Sequence, residues 1–109
     1  MKTVIINLNV TSIPQNTQPT IVRPCPRVNV FQHPMNPSDI TQVGNYNYSI
    51  QLEDNGRCGI DAFAWENNQI NITTNLPVTT RSAGQNFDQI QKSVNITEAG
   101  TYNISISII

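Results

Sequence analysis

The sequence predicts an all-β fold, a single sandwich of two antiparallel sheets, on three observations. Apolar and polar residues alternate over most of the chain, the period-2 signature of strands with one buried face. No window combines a 3.6-residue period with a cap, so no helix is expected. One phrase occurs twice, ITQVGNYNYSIQL at Ile40–Leu52 and ITEAGTYNISISI at Ile96–Ile108, sharing Ile, Thr, Gly, Tyr, Asn, Ser and Ile at the same offsets. About seven or eight short strands with one polar face each pack most economically as two sheets face to face. A chain of 109 residues is expected to form one domain, 1–109.

The first strand is read at Thr3–Val10, where Val4, Ile6, Leu8 and Val10 oppose Thr3, Ile5, Asn7 and Asn9. Asn7 and Asn9 also interrupt the apolar run that a signal peptide needs, and no small-residue cleavage site follows. No stretch reaches the ~20 apolar residues of a membrane helix. Segment 13–37 differs from the rest, since it contains most of the chain's prolines, including RPCPR and HPMNP. Proline removes ladder donors and favours extended backbone, so this segment reads as edge strands and an exposed arm. Val28–Phe31 is its short strand candidate.

The first copy of the phrase follows, with Tyr46, Tyr48, Ile50 and Leu52 opposing Asn47, Ser49 and Gln51. Glu53–Gly56 (EDNG) is a turn, with Asn and Gly suited to positive φ. Ile60–Trp65 is the next strand, and Glu66–Gln69 is a hairpin candidate with Asn67 and Asn68 at its tip. Ile70–Thr74 and Phe87–Ile96 come next. The last strand sets Tyr102, Ile104, Ile106 and Ile108 against Asn103, Ser105 and Ser107.

In both copies a glycine, Gly44 or Gly100, stands two residues before a tyrosine, Tyr46 or Tyr102. A loop turning sharply into a strand needs a positive φ, which glycine tolerates. The ring can then enter the core while its hydroxyl reaches back to a loop carbonyl. Glu98-Ala99-Gly100-Thr101-Tyr102 resembles the tyrosine corner of immunoglobulin-like sandwiches. Jelly rolls use a similar Gly-x-Tyr turn. The resemblance implies an immunoglobulin-like architecture, with a jelly roll as the alternative. Cys25, Cys58 and Trp65 come in the wrong order for an antibody-type domain. The repeat reads as one corner used twice, against a duplicated half-domain, and neither reading brings a ligand.

Charged residues make up 12% of the chain and the net charge is −1, against about 25% charged in ordinary soluble proteins. The polar surface is therefore amide and hydroxyl. A nucleic-acid binder would show clustered Lys and Arg, so that class is set aside. Near-neutrality gives little self-repulsion and suits a protein packed against neighbours, although a codon bias toward Asn and Ile would give the same composition. Five Asn-x-Ser/Thr sequons, at Asn9, Asn47, Asn71, Asn95 and Asn103, are attributed to composition. Cys25 and Cys58 are too few for a disulfide scaffold and are expected to stay thiols in a reducing compartment, with a bridge geometrically open.

No catalytic constellation is legible. His33 is the only histidine, too few for a triad or a His-rich zinc site. Cys25, Cys58 and His33 lack zinc-site spacing. Glu53, Asp54 and Asp61 lack a calcium-loop framework and read as turn charges. Neither a phosphate-cradling Gly loop nor a paired-carboxylate cleft is visible. The chain is read as a non-enzyme without cofactor or metal. Phe63 and Trp65 share one strand face. They fill the core or, alternatively, Trp65 with Asn67 and Asn68 forms an aromatic platform for glycans.

In size, charge-poor Asn/Ile/Thr style and fold, the chain resembles the auxiliary (decoration) capsid proteins of tailed bacteriophages, crAss-like phages in particular. That resemblance implies a virion component made in the host cytoplasm and present in many copies. Its partners would be the major capsid protein or other virion proteins. It would dock through edge strands and the Pro-rich arm, with Arg23, Arg27, Phe31, His33 and Met35 as contact residues. A tail, collar or fibre component and a glycan-binding module are the alternatives.

Overall fold

The computed structural model describes residues 1–14, 20–24, 39–65, 67–83 and 89–109. Eight strands run through them: β1 Lys2–Ser12, β2 Ile21–Arg23, β3 Gly44–Leu52, β4 Cys58–Trp65, β5 Ile70–Thr73, β6 Val78–Ala83, β7 Gln89–Ile96 and β8 Gly100–Ile108. They form two four-stranded sheets, β3-β1-β8-β5 (sheet A) and β2-β4-β7-β6 (sheet B). The all-β sandwich is the one the alternation predicts.

Pairing is antiparallel except between β1 and β8, which run parallel. A parallel pair needs a long crossover, and here almost the whole chain intervenes. β1 is therefore flanked by both copies of the repeated phrase, with Ile6 beside Tyr48 on one side and Tyr102 on the other. A register shift between Val10 and Ser12 interrupts the β1–β8 ladder. Hydroxyls answer the local carbonyls: Thr11 Oγ1 donates to Ile106 O at 3.4 Å and Ser12 Oγ to Ile108 O at 3.0 Å.

The core between the sheets is almost wholly aliphatic. Val4, Ile6, Leu8 and Val10 of β1 and Ile104, Ile106 and Ile108 of β8 meet Cys58, Ile60, Ala62 and Ala64 of β4 and Val94 and Ile96 of β7. Branched side chains stand well on a pleated surface and fill the ~10 Å gap between packed sheets.

Both corners form. Gly44 has φ +157° and Gly100 φ +147°. Tyr46 Oη donates to Gln42 O and Tyr102 Oη to Glu98 O, each at 2.8 Å. Each ring lies over its glycine: a Cβ on Gly44 would sit 3.4 Å from the Tyr46 ring, and one on Gly100 3.8 Å from the Tyr102 ring.

Several expectations need correction. The Glu53–Gly56 turn closes, with Gly56 N donating to Glu53 O at 2.9 Å, but Gly56 is not among the glycines at positive φ. Glu66–Gln69 joins no hairpin, since β4 and β5 lie in different sheets. The aromatic side chains of β4 are not part of the main core cluster, although Ile60 is. Ala62 and Ala64 also belong to it, whereas Phe63 packs with Ile21 in a separate cluster. β2 and β6 lack the length or apolar alternation that would reveal them. Cys58 is disulfide-bonded, not the expected thiol. Cys25 and the Val28–Phe31 strand candidate lie outside the described residues.

Candidate interaction surface

The outer face of sheet A is built from the polar half of each alternation. Register places Asn47, Asn7 and Asn103 in one row and Asn45, Asn9 and Ser105 in the next. Thr73 extends the second row through Ser105, and Asn71 pairs with Ser107. Neighbouring strands are about 4.7–4.9 Å apart, so these groups stand as a regular array. Asn7 Nδ2 donates to Asn103 Oδ1 at 3.0 Å and Gln51 Nε2 to Thr3 Oγ1 at 2.9 Å. Ile5, 39% exposed, is the apolar member of the face. No ionisable side chain stands among these rows.

Four sequon asparagines, Asn9, Asn47, Asn71 and Asn103, are exposed on this face, while Asn95 is exposed on sheet B. A strand puts residues i and i+2 on one side. A face made of Asn, Ser and Thr therefore generates sequons without any need for glycans.

The outer face of sheet B has the opposite character. Arg23, Asp61, Phe63, Gln91 and Ser93 are all buried there. Arg23 Nε lies 3.2 Å from Asp39 Oδ1 and 3.3 Å from Oδ2. Its guanidinium sits 5.3 Å from the Phe63 ring centroid, a cation–π distance. Gln91 Nε2 donates to Ser93 Oγ at 2.9 Å. Backbone bonds between Val22 and Ile40, 2.7 and 3.0 Å long, attach the approach to β3 onto β2.

Arg23 is thus an interior residue, not the exposed contact that an arm position implies. The sequence could not reveal this, because its partner Asp39 lies 16 residues away beyond the proline-rich segment. The other arm residues, Arg27, Phe31, His33 and Met35, lie outside the described residues. Trp65 is half-buried at the end of β4, Asn67 is exposed, and Asn68 is half-buried. Asn68 N donates to Trp65 O at 2.9 Å and Asn68 Nδ2 to Ile109 O at 3.4 Å, so its amide is partly committed to the C-terminal strand end. Gly44, Tyr46, Gly100 and Tyr102 hold the structural positions expected of them.

Among the described residues, no three His, Cys, Asp or Glu side chains gather as a metal site. An open depression of about 460 Å³ lies between the end of β1 and the Tyr46 corner, lined by Thr11, Ser12, Ile13, Gln42 and Val43. Among the described residues its lining holds no charged group and offers no nucleophile–base pair. No helix of the described residues is long and apolar enough to cross a membrane. Comparison with protein-family models, characterised proteins and solved structures finds no match.

Sequence reasoning identified Asn47, Asn103 and their neighbours as strand residues but not as one surface. Joining them requires the register of β1 between β3 and β8. The polar members of each alternation were the available signal.

Proposed function

We propose that this protein is a structural component of a virion, an auxiliary protein that sits in many copies on a capsid. The observation supporting this reading is the outer face of sheet A, an exposed amide and hydroxyl array without an ionisable side chain. Charge on such a face would repel neighbouring copies at close packing. Amides and hydroxyls donate and accept, so they suit fixed, wet contacts of modest strength repeated over a lattice. The Cys58 disulfide fits an oxidising setting such as a released particle's surface.

The test is quantitative mass spectrometry on native particles banded on a density gradient. Co-banding with a capsid protein at fixed high copy number is expected, and a chain left in the soluble fraction overturns the reading. Thr73→Glu with Thr101→Glu adds charge at two exposed outer positions. It is expected to abolish attachment while leaving the melting temperature within a few degrees, as for other surface changes.

A further inference from the structure

An exposed sheet edge offers a row of unpaired backbone groups to any passing strand, and proteins guard such edges with shortness, charge, proline or a covering segment. Three of the four edges here are guarded. β2 is three residues long and carries the Ile40 bridge. β5 is four residues long. β6 follows Pro77 and bears Arg81.

β3 is different. It is nine residues long, GNYNYSIQL, without a charge or a proline. It pairs with β1 on one side, and among the described residues no strand pairs with the other. Residues 44–52 alternate between half-buried and exposed, and none is fully buried. Its inner row, Tyr46, Tyr48, Ile50 and Leu52, packs against the core but remains partly open to solvent. The core therefore stops short at this edge.

We propose that β3 pairs antiparallel with β3 of a second copy across a two-fold axis, joining two A sheets into one continuous sheet. An isologous contact needs a self-complementary strand, and this one is. Full overlap of the nine residues centres the pairing on Tyr48. Tyr46 then faces Ile50 of the second copy, an aromatic–β-branched pair of the kind that stabilises antiparallel ladders. Asn47 faces Ser49 and Asn45 faces Gln51, so the amide face continues across the seam. Beyond the strand, Glu53 and Asp54 fall opposite Val43 and Gln42, so no charge meets its like. The outward backbone groups gain about one hydrogen bond per paired residue. The pairing does not depend on the capsid reading.

The test is sedimentation velocity on the full chain at high micromolar concentration, with two variants that fix the register. The wild type is expected to be dimeric. Asn47→Lys with Ser49→Lys sets like charges opposite each other twice and is expected to raise the dissociation constant roughly tenfold or more. Asn47→Lys with Ser49→Glu sets opposite charges there instead and is expected to keep the dimer, which then weakens with added salt. Circular dichroism and thermal melting confirm that both variants fold. A monomeric wild type, a lysine pair that stays dimeric, or equal dissociation of both folded variants would each overturn the proposal.

Discussion

β3 and β8 carry the same phrase, flank the same strand and turn through the same corner, yet they meet different surroundings. β8 has neighbours on both sides and buries Ile104, Ile106 and Ile108 almost completely. Among the described residues β3 has one neighbour, and every inner residue from Tyr46 to Leu52 stays half-exposed. The phrase thus encodes a way of entering a strand and leaves the strand's place in the sheet to other residues. At the offset where β8 has Ile104, β3 has Tyr48, an apolar body with a polar tip suited to a wet edge.

The largest effect should come from removing the same volume on the two sides of β1. Ile104→Ala empties a site that is 1% exposed and should cost about 3–4 kcal/mol in urea unfolding, within the usual range for buried isoleucine. Ile50→Ala, half-exposed at the edge, should cost about 1 kcal/mol, because much of its surface is already in water. Equal losses would mean that the edge is as well packed as the interior and that the contrast between the strands is false.

Glycine substitutions test what the strands share. Gly44→Ala and Gly100→Ala each force an L side chain into positive φ, at about 1–3 kcal/mol. The methyl on Gly44 also meets its tyrosine ring more closely, at 3.4 Å against 3.8 Å. The two losses should nevertheless agree within about 1 kcal/mol, since van der Waals contact at these distances is ordinary. A tolerated Gly44→Ala beside a damaging Gly100→Ala would show that the edge corner relaxes.

Removing one hydroxyl is a milder break. Tyr46→Phe and Tyr102→Phe each delete a 2.8 Å hydrogen bond to a loop carbonyl four residues earlier. Each should cost about 1 kcal/mol, read as a shift of the thermal midpoint. Loss of neither would reduce the corner to a matter of glycine and ring packing alone.

The corners and the sandwich were legible because each rests on local signals: period-2 alternation in β1, β3 and β8, and Gly-x-Tyr with a reachable carbonyl. What stayed hidden depends on register or on distant partners. Nothing near Arg23 announces that Asp39 will bury it, and its proline-rich surroundings suggest an exposed arm instead. Phe63 and Trp65 look like core because they are large. The core takes Ala62 and Ala64 from the same strand, while Phe63 forms a separate cluster with Ile21 beneath the Arg23 guanidinium. The candidate surface had the same obstacle, since Asn7 becomes a neighbour of both Asn47 and Asn103 only once β1 lies between the two copies.

The finest probe of the open edge is Tyr48 itself. Burial, and secondarily the nearby Tyr46 phenol, raise its pKa above the ordinary tyrosine value of 10.0. The folded chain thus holds this proton at pH values where the unfolded chain has released it. Its contribution to stability is complete below about pH 10 and lost as pH rises through the higher folded value. The denaturant midpoint of the wild type should therefore fall relative to that of Tyr48→Phe as pH climbs past 10, because the variant lacks this titration. Pairing of two β3 edges would bury the phenol further, so diluting the wild type until the copies separate should titrate Tyr48 nearer its ordinary value, readable from phenolate absorbance. An unchanged titration would mean that Tyr48 meets the same solvent with and without a second copy, and that its half-burial belongs to the single sandwich.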